Sequence, residues 1–527
     1  MWRRNGPLGP SGGTSRTARV KLVRWGLLVV ALVLALVPVS AAPSGTTVPT
    51  LVGFTDDAPK YKDWKLFDDM NDLGVQENRW NVPWDPSQPT SIYDQGFIDA
   101  SLPVAQAHNI EILFSIAPLH AADIGSSDAS QTAFCNYMKL VAQRYYPRVM
   151  QYIVANEPNR QRFWQPQWSG STDIAAIDYE HTLAKCYDAL KSVSPNITVI
   201  GLALGANGND NPQAADHPSH SPVRFIHDVA AAYKESGRGT PIMDLFAYHP
   251  YPAIQDTDPP EKGYKNWPNA GVPNLDRLKQ AIWDGFHATN QPIFPDEPGG
   301  LTTDTSSPPK PLPHLFSVAP TTAPPTLKFK IDEIGWQTII SDSKKNLYHG
   351  TENITPIDPA VQADDYWKML RYYFCDSLVK EVLILHIIDE SDLGTWQSGV
   401  EWVDHDHKPS YDRVKNAISD TLRICRQEQV LWKHTEGVIN AAATWKPTSS
   451  TSFSITATED YSYSASVTDA RTKQVLKSTS GKGKAYYNVG VDLRSNLRKG
   501  VKYTYKVTLT ADMNPERTTT LTQTFVK

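Results

Sequence analysis

Two apolar stretches of the chain are each followed closely by a glutamate. Residues 149–155 precede Glu157, and residues 327–332 precede Glu333. β-Branched and aromatic residues favour a buried strand in each stretch, and Pro158 cannot donate to a ladder, so the first strand ends at its carboxylate. Two carboxylates that face each other across a cleft suit the cleavage of a glycosidic bond. One protonates the departing oxygen, and the other attacks the anomeric carbon or activates water.

The elements around these stretches predict how the two glutamates meet. Short apolar strands alternate with amphipathic helical segments, and the predicted strands are residues 50–54, 75–80, 110–116, 149–155, 197–202, 242–248, 327–332 and 382–386. Eight such strand–helix units between residues 48 and 430 predict an α/β domain of the (β/α)8 TIM-barrel type. A doubly wound sheet is the alternative, but no Gly-rich phosphate loop follows the first strand.

In a (β/α)8 barrel every strand ends on the same face, where active sites form. Glu157 at strand four and Glu333 at strand seven would therefore project into one cleft. Other polar and aromatic groups also fall at strand ends: Arg79, His120, Tyr248, His249, Tyr251, His386 and Trp396. Each of these residues taken singly is more often structural than functional. Their occurrence at the ends of different strands favours a shared site.

These motifs resemble those of clan A glycoside hydrolases, most nearly the family 39 (β-xylosidase-like) group of secreted retaining enzymes. Asn156-Glu157-Pro158 is similar to the strand-four motif of that clan, and Glu333-Ile-Gly335 to its strand-seven motif. The resemblance implies that Glu157 is the acid/base, that Asn156 binds the sugar 2-hydroxyl and that Glu333 is the nucleophile. It extends over about residues 50–427.

The same resemblance implies a set of substrate-binding residues. His249-Pro-Tyr251 is similar to the strand-six His-x-Tyr of the clan, Arg79 falls where the clan has an Arg near the nucleophile, and Trp396 would form a stacking platform. The expected substrate-binding residues are Asn156, Arg79, His120, Tyr248, His249, Tyr251, Trp336 and Trp396.

The chain departs from that family in two places. A Pro-rich insertion precedes strand seven, and the acidic run Asp389-Glu-Ser-Asp392 follows strand eight. Glu297 and Glu390 are rival carboxylates in these segments. If Glu157 is the acid, it must carry a proton, and we expect the negative charge of Glu333 to raise its pKa. Retention would require carboxyl groups about 5–5.5 Å apart, whereas inversion would require about 6.5–9.5 Å.

The first 42 residues predict a signal peptide with a basic leader. Residues 1–24 contain basic residues and no acid, residues 25–37 are uninterruptedly apolar, and Val39-Ser-Ala41 offers a small-residue cleavage site. The protein is therefore expected to be secreted, outside the cytosol or at the cell surface. An uncleaved membrane anchor is the alternative. The overall net charge of −5 makes nucleic acid an unsuitable partner.

The four cysteines predict two disulfides, because an even count in an exported chain is typical of paired cysteines. Of the three possible pairings we favour Cys135–Cys186 and Cys375–Cys425, since each would join consecutive helices. No CxxC pair is present, and His120, His249 and His386 show no short ligand spacing, so a metal site is not expected. No other cofactor is predicted, and His405-Asp-His407 is interpreted as a solvated turn.

The character of the sequence changes after the barrel. Residues 436–527 contain segments that alternate between apolar and polar residues, which predicts a small all-β immunoglobulin-like sandwich. A packing or spacer module is the favoured interpretation, and a sugar-binding module is the alternative. Asn196 and Asn353 begin glycosylation motifs that matter only in a host that glycosylates them.

The sequence therefore predicts a secreted retaining O-glycosyl hydrolase that acts on oligo- or polysaccharides, with a β-linkage expected. The alternative from another class is a non-catalytic carbohydrate-binding protein on the same barrel, either secreted or anchored at the surface.

Overall fold

The computed structural model describes residues 50–254, 257–264, 268–294, 326–424, 441–445, 452–457, 461–483, 489–493, 497–511 and 518–527. The predicted signal peptide, most of the Pro-rich insertion with Glu297, and Cys425 lie outside the described residues. The predicted domain boundaries at residues 430 and 436 also lie outside them and stay predictions. None of the helices in the described ranges is both long and apolar enough to cross a membrane.

Strands and helices alternate through the first part of the chain, as the sequence predicts. The strands are β1 Leu51–Thr55, β2 Glu77–Asn81, β3 Glu111–Ile116, β4 Gln151–Val154, β5 Trp168–Ser169, β6 Thr172–Asp173, β7 Thr198–Gly205, β8 Leu245–His249, β9 Phe329–Ile334 and β10 Val379–Leu385. The helices are α1 Lys65–Leu73, α2 Gln95–Ala107, α3 Asp128–Tyr145, α4 Ile174–Lys191, α5 Pro222–Glu235, α6 Leu275–Phe286, α7 Pro359–Phe374 and α8 Pro409–Ile424.

Eight of these strands form a closed parallel barrel in the order β1-β10-β9-β8-β7-β4-β3-β2. The predicted (β/α)8 TIM barrel is confirmed. The remaining two, β5 and β6, pair with each other in the segment between the fourth and fifth barrel strands along the chain. Because all barrel strands run in parallel, their carboxyl ends open on one face, which is where functional side chains of such barrels lie.

Alternation of side chains along the strands divides the domain into two apolar layers. Leu113, Ile153, Ile200, Leu245 and Leu383 form a separate cluster inside the barrel. The residues next to them along the strands join the main core, which packs the outside of the barrel against the helices. This arrangement follows from the period of two in a strand, where successive side chains point to opposite faces.

Near the amino-terminal ends of the strands, the barrel interior holds buried charges. The Lys330 ammonium forms ion pairs with Glu77, at 2.8 Å, and with Glu381. Gln151 donates a further hydrogen bond to Glu77 at 2.6 Å. The two acids and the base are each at most 2% exposed, so the charge of Lys330 offsets that of one acid in an environment without water.

Two barrel strands contain an extra residue near their carboxyl ends. In β7, Gly201 and Leu204 are three positions apart, but their partners in β8 are only two positions apart. In β9, Ile331 and Ile334 have the same relation to their partners in β10. Such bulges break the alternation of side chains and redirect them. In β9 the bulge covers Asp332 and Glu333, so that both of these neighbours reach the same side of the barrel.

One disulfide links consecutive helices. Cys135 of α3 is bonded to Cys186 of α4, which confirms the first predicted pairing. Cys375 is buried just after α7, and its predicted partner Cys425 lies outside the described residues, so the second pairing stays a prediction.

The C-terminal strands form two antiparallel sheets. The strands are β11 Ala441–Trp445, β12 Ser452–Ala457, β13 Tyr461–Asp469, β14 Val475–Gly483, β15 Val489–Asp492, β16 Lys502–Ala511 and β17 Thr518–Val526. One sheet has the order β11-β12-β15 and the other β14-β13-β16-β17. Residues of both sheets share one apolar core, including Ile455, Val491, Val467 and Val507. The predicted all-β sandwich is therefore confirmed.

Candidate active site

The segment after β4 leaves the barrel through a left-handed backbone. Ala155 has φ 63° and Glu157 has φ 38°, conformations that cost roughly 1–3 kcal/mol each in residues other than glycine. The Ala155 amide still donates to Ile116 O at 2.8 Å, and the Glu157 amide donates to Ala203 O at 2.9 Å, inside the bulge of β7. The segment after β4 and the bulge of β7 are therefore hydrogen-bonded to each other. Glu157 lies at the carboxyl end of the barrel and is 8% exposed.

The Glu157 carboxylate lies between two basic groups. Its Oε1 accepts a hydrogen bond from His249 Nδ1 at 3.0 Å, and its Oε2 lies 3.6 Å from Arg160 Nε. Burial raises the pKa of Glu157, but the His249 hydrogen bond and the Arg160 charge outweigh burial and hold the pKa below its ordinary value. This differs from the expectation that the charge of Glu333 raises the pKa, because the nearest charges to Glu157 are positive.

Glu333 comes from the opposite side of the barrel and reaches the same histidine. Its Oε1 accepts a hydrogen bond from Tyr251 Oη at 2.9 Å, and its Oε2 lies 3.4 Å from Arg79 Nη1. Since His249 Nδ1 lies 3.0 Å from Glu157 Oε1 and 3.9 Å from Glu333 Oε2, these two carboxylate oxygens are at most about 7 Å apart. The two glutamates thus share one cleft.

Arg79 connects the two strand ends beneath the cleft. Its guanidinium forms an ion pair with Asp332 Oδ2 at 2.8 Å and donates to Ser115 Oγ at 3.0 Å and to Asn156 Oδ1 at 2.9 Å. Arg79 is 1% exposed, so these contacts fix its orientation. A single buried cation therefore positions both Asn156, beside the first glutamate, and Glu333.

His249 is held between carboxylates on both ring nitrogens. Its Nε2 lies 3.2 Å from Asp332 Oδ2, as an ion pair, while Nδ1 faces Glu157. Burial lowers the pKa of His249, but the charges of Asp332 and Glu333 raise it more, to about 10. The ring is therefore an imidazolium at neutral pH, with an N–H group directed at Glu157.

An aromatic wall borders Glu333. The Trp396 ring packs against the Tyr251 ring with centroids 5.5 Å apart, and Tyr251 in turn donates to Glu333. The Trp396 side chain is only partly buried. Its backbone amide donates to Glu390 Oε2 at 3.0 Å. The rival carboxylate Glu390 thus holds the loop that carries Trp396.

The acidic run after β10 also has a structural explanation. Asp389 forms an ion pair with the buried Lys408 at 2.7 Å and accepts a hydrogen bond from Tyr348 Oη at 2.7 Å. Asp392 accepts a hydrogen bond from the Gly394 amide at 2.9 Å. These acids therefore shape the loop.

The structure does not bring three of the predicted binding residues into the cleft. Tyr248 is 0% exposed and donates to Ala270 O at 2.6 Å, because alternation along β8 turns it away from the face of His249. Trp336 is 0% exposed, and its Nε1 donates to Asp258 O at 3.0 Å within the main core. The substrate-binding roles predicted for these two residues are corrected to packing roles.

His120 is the third of these residues. Its side chain is 74% exposed in the turn after β3, where Nδ1 lies 3.2 Å from Asp123 Oδ2. The described contacts do not join it to either glutamate. His386, another strand-end histidine, lies beside Asp56 at the end of β10.

Three residues of the site were missed from the sequence. Asp332 holds both Arg79 and His249, and Arg160 pairs with Glu157. Gly205 lies under the carboxylate: a Cβ there would be 3.0 Å from Glu157 Cδ and 2.5 Å from Arg160 Nε. The acid next to Glu333 and the arginine three residues after Glu157 were visible signals, whereas the Gly205 contact depends on the fold.

The cleft offers no group of metal ligands among the described residues. Its acids are occupied by Arg79, His249 and Arg160, and the candidate ligand group that the described part of the chain contains, Asp69 with Glu401 and His405, is a different set of residues. The geometry of the cleft therefore favours chemistry performed by the two glutamates themselves.

The fold and the two strand-end glutamates define a (β/α)8 barrel protein with a carboxylate pair at the carboxyl face. No protein-family model matches the sequence, and no curated protein matches it either. Among solved structures, this chain is similar to a family 39 glycoside hydrolase from Bacteroides cellulosilyticus WH2, with 16% identity, a TM-score of 0.46, and coverage of 84% of this chain and 79% of that chain.

Two further similar structures are a β-xylosidase and a glucosidase. The monomeric β-xylosidase from Caulobacter crescentus CB15 has 12% identity and a TM-score of 0.42, with coverage of 85% of this chain and 94% of that chain. The glucosidase from Croceicoccus marinus has 11% identity and a TM-score of 0.43, with coverage of 84% and 93%. Similarity at this level carries no argument about activity, so the functional inference rests on the side chains of the cleft.

Proposed function

We propose that this protein is a retaining O-glycosyl hydrolase that acts on β-linked oligo- or polysaccharides. The observation that supports the proposal most is the shared contact of Glu157 and Glu333 with His249 Nδ1, at 3.0 and 3.9 Å. Two carboxylates from opposite walls of one cleft are the groups that this reaction needs. The asymmetry of their surroundings assigns them different roles.

Glu333 is suited to be the nucleophile. Tyr251 and Arg79 hold its two oxygens at 2.9 and 3.4 Å, which fixes the carboxylate toward the cleft without burying it completely. In the first step a Glu333 oxygen forms a bond to the anomeric carbon while the bond to the leaving oxygen breaks. The product is a covalent glycosyl-enzyme.

Glu157 is suited to be the acid/base, with His249 as its proton source. In the free protein the proton lies on His249 Nδ1, 3.0 Å from Glu157 Oε1. His249 gives this proton to Glu157, and Glu157 passes it to the leaving oxygen as the glycosidic bond breaks, so that Glu157 is again a carboxylate and His249 is neutral. In the second step the Glu157 carboxylate takes a proton from water as the water displaces Glu333, the proton returns to His249, and the sugar is released with retained configuration.

The sugar would lie between Asn156 and Trp396. Arg79 occupies Asn156 Oδ1, which leaves the amide N–H group of Asn156 to donate to a sugar hydroxyl. The ring of Trp396 would stack on the sugar ring. Secretion is part of the proposal, and the apolar segment at residues 25–37 and the Cys135–Cys186 disulfide support it, because disulfides persist in oxidising compartments.

The test is a screen of aryl β-glycosides and polysaccharides, with proton NMR of the first anomer released. We expect hydrolysis with retention, and we expect Glu333→Gln to abolish turnover. Glu157→Ala should be slow and should be rescued by azide on substrates with good leaving groups. Glu235→Gln, which changes an exposed glutamate at the end of α5, is the matched control and should be fully active.

Two outcomes would contradict the proposal. Release of the inverted anomer would show that Glu333 activates water and does not attack the sugar. Binding of glycans with no hydrolysis of any substrate would favour a carbohydrate-binding protein on the same barrel.

A further inference from the structure

A second group of ligating side chains lies between helix α1 and the loop that follows β10. Asp69 of α1 and Glu401 and His405 of the loop each offer one ligand atom, and these atoms lie within 4.8 Å of one another. The loop is folded back on itself here, because Glu401 and His407 form an antiparallel bridge and the His405 amide donates to Trp402 O at 2.9 Å. The group is therefore built on ordered backbone.

Glu401 is the reason to look for a ligand at this place. The residue is 0% exposed, and neither of its carboxylate oxygens accepts a hydrogen bond from the described part of the chain. A buried carboxylate without a compensating charge costs several kcal/mol. An imidazole lies near each of its oxygens, His405 Nδ1 at 3.5 Å from Oε2 and His407 Nε2 at 3.9 Å from Oε1, and the charges of Asp69, Asp63 and Lys65 also act on Glu401.

His405 is oriented as a metal ligand would be. Its Nε2 lies 3.3 Å from Asp63 Oδ2, while its Nδ1 is buried, makes no hydrogen bond within the described ranges, and faces Glu401. A carboxylate on one ring nitrogen fixes the N–H there and leaves a lone pair on the other. This is the arrangement by which metal-binding histidines are usually held.

The spacing and the charges are consistent with a zinc ion. Ligand atoms around a tetrahedral zinc with bonds of about 2.1 Å are ~3.4 Å apart, close to the 3.5 Å between His405 Nδ1 and Glu401 Oε2. Three carboxylates meet here, and the ammonium near them is that of Lys65, 2.9 Å from Asp69 Oδ2. We propose that Asp69, Glu401 and His405 bind Zn²⁺, with Asp63 positioning His405.

Zinc is favoured over other divalent cations because the donor set mixes an imidazole nitrogen with carboxylates. Calcium and magnesium prefer oxygen ligands alone. The ion would join helix α1 to the loop that also carries Trp396, so its expected effect is on the stability of this loop. The interpretation of residues 405–407 as a solvated turn missed this contact, since the ligand set combines residues from two distant segments.

The test is isothermal titration of ZnCl₂ into the full chain after treatment with EDTA. We expect one equivalent of zinc, and we expect both Glu401→Gln and His405→Gln to abolish this binding. Asp63→Asn should weaken the affinity by about 10–100-fold, as for other residues that orient a metal ligand. His181→Gln is the matched control: His181 also lies beside a buried glutamate, Glu180, at 3.8 Å, but no such group of ligands among the described residues includes it.

A variant that should bind zinc more tightly distinguishes the loss of a ligand from a loss of folding. Lys65→Ala removes an ammonium that competes for Asp69 and lies on an exposed side chain, so the affinity for zinc should rise severalfold. Replacement of Zn²⁺ by Co²⁺ should give the intense visible absorption of a tetrahedral site. Three results would overturn the proposal: no zinc uptake, unchanged uptake by His405→Gln, or tighter binding of Ca²⁺ than of Zn²⁺.

Discussion

Among single residues, His249 has the greatest influence on the charge of the cleft. It contacts Glu157 and Asp332 on opposite ring nitrogens, and its hydrogen bond to Glu157, together with the charge of Arg160, keeps the pKa of Glu157 low. An acid with a lowered pKa is poorly protonated by itself. The proton for the leaving group must therefore be shared within the Glu157–His249 pair.

This sharing predicts how pH affects a His249→Gln variant. In the wild type the pair keeps one proton until His249 titrates, and the pKa of His249 is raised to about 10. Without the imidazole only the carboxyl of Glu157 can hold the proton, and it releases the proton at a lower pH. The alkaline limb of kcat/KM should therefore move to lower pH on an aryl β-glycoside, while His181→Gln keeps the wild-type profile. An unmoved limb would contradict proton sharing.

Gly205 predicts a second effect at the residue scale. A Cβ at this position would be 3.0 Å from the Glu157 carboxyl carbon and 2.5 Å from Arg160 Nε, so Gly205→Ala must displace the acid/base. A displacement of about 1 Å can cost roughly 100-fold in rate, and we expect a loss of that order in kcat. Gly96→Ala in α2 is the control, because a Cβ added there meets none of the described residues within 4 Å outside its own helix and its chain neighbours. Equal rates for the two variants would exclude this role of Gly205.

Which of the strand-end residues enter the cleft was only partly predictable. Tyr248 and His249 are neighbours on one strand, and a strand must turn one of them inward and the other outward. The sequence shows that both lie at a strand end but not which one faces the interior. Trp336 follows a bulge, which changes the facing of the residues after it, and so its burial could not be read from the sequence.

At the scale of elements, the bulges of β7 and β9 position the chemistry. The first places Ala203 O to accept from the Glu157 amide at 2.9 Å, and the second brings Asp332 and Glu333 to one side. Bulges depend on the register of the neighbouring strand, which residues far away in the chain determine. The strands themselves were predictable because their apolar runs are local.

The charged group inside the barrel predicts a pH dependence of stability. Burial and the charge of Glu381 raise the pKa of Glu77 from 4.5 to about 7, although Lys330 opposes them. The native state then holds a proton that the unfolded chain has released, so the free energy of unfolding should fall by up to about 3 kcal/mol as pH rises through this range. In denaturant titrations at several pH values, the free energy of unfolding of Glu77→Gln should depend less on pH than that of the wild type.

Glu111→Gln, which alters an exposed acid at the start of β3, is the control for this prediction. Its free energy of unfolding should change with pH as steeply as that of the wild type between pH 4.5 and 7. A Glu77→Gln variant with the same slope as the wild type would show that Glu77 does not titrate in this range.

The disulfide between α3 and α4 predicts a loss of stability on reduction. It closes a segment with a sequence separation of 51, for which chain entropy gives about 4 kcal/mol. A Cys135→Ala/Cys186→Ala double variant should therefore unfold at a distinctly lower temperature than the wild type in calorimetry. Addition of reductant should lower the wild-type value to that of the variant and leave the variant unchanged. Equal unfolding temperatures throughout would refute the prediction.

The C-terminal sheets show where local patterns become too weak. The alternation of apolar and polar residues predicts strands at residues 453–457, 461–467, 487–493 and 501–509, which leaves out β11, β14 and β17. The alternating positions of β14 and β17 carry Ser, Thr and Lys with few large apolar residues. Both strands lie at the edges of a four-stranded sheet, where a strand gains its pairing from one neighbour. β13 and β16, in the middle of that sheet, have the apolar alternation that makes strands recognisable.

At the scale of the whole molecule, the barrel explains why residues distant in sequence act together. Parallel closure brings Glu157 and Glu333 to one face and lets the buried pair Arg79 and His249 contact both walls. The sequence predicted this convergence from the order of the strands alone. What it could not predict was the charge around Glu157, because Arg160 and His249 reach it only in the folded chain.

The central claim is that Glu333 becomes covalently attached to the sugar, and one measurement tests it directly. The protein is incubated with a mechanism-based 2-fluoroglycoside of the preferred sugar, digested, and mapped by mass spectrometry. We predict one sugar per chain, attached to Glu333 in the peptide that contains the end of β9, and no label in Glu333→Gln. A label on Glu157 or on any other residue would contradict the assignment of the nucleophile.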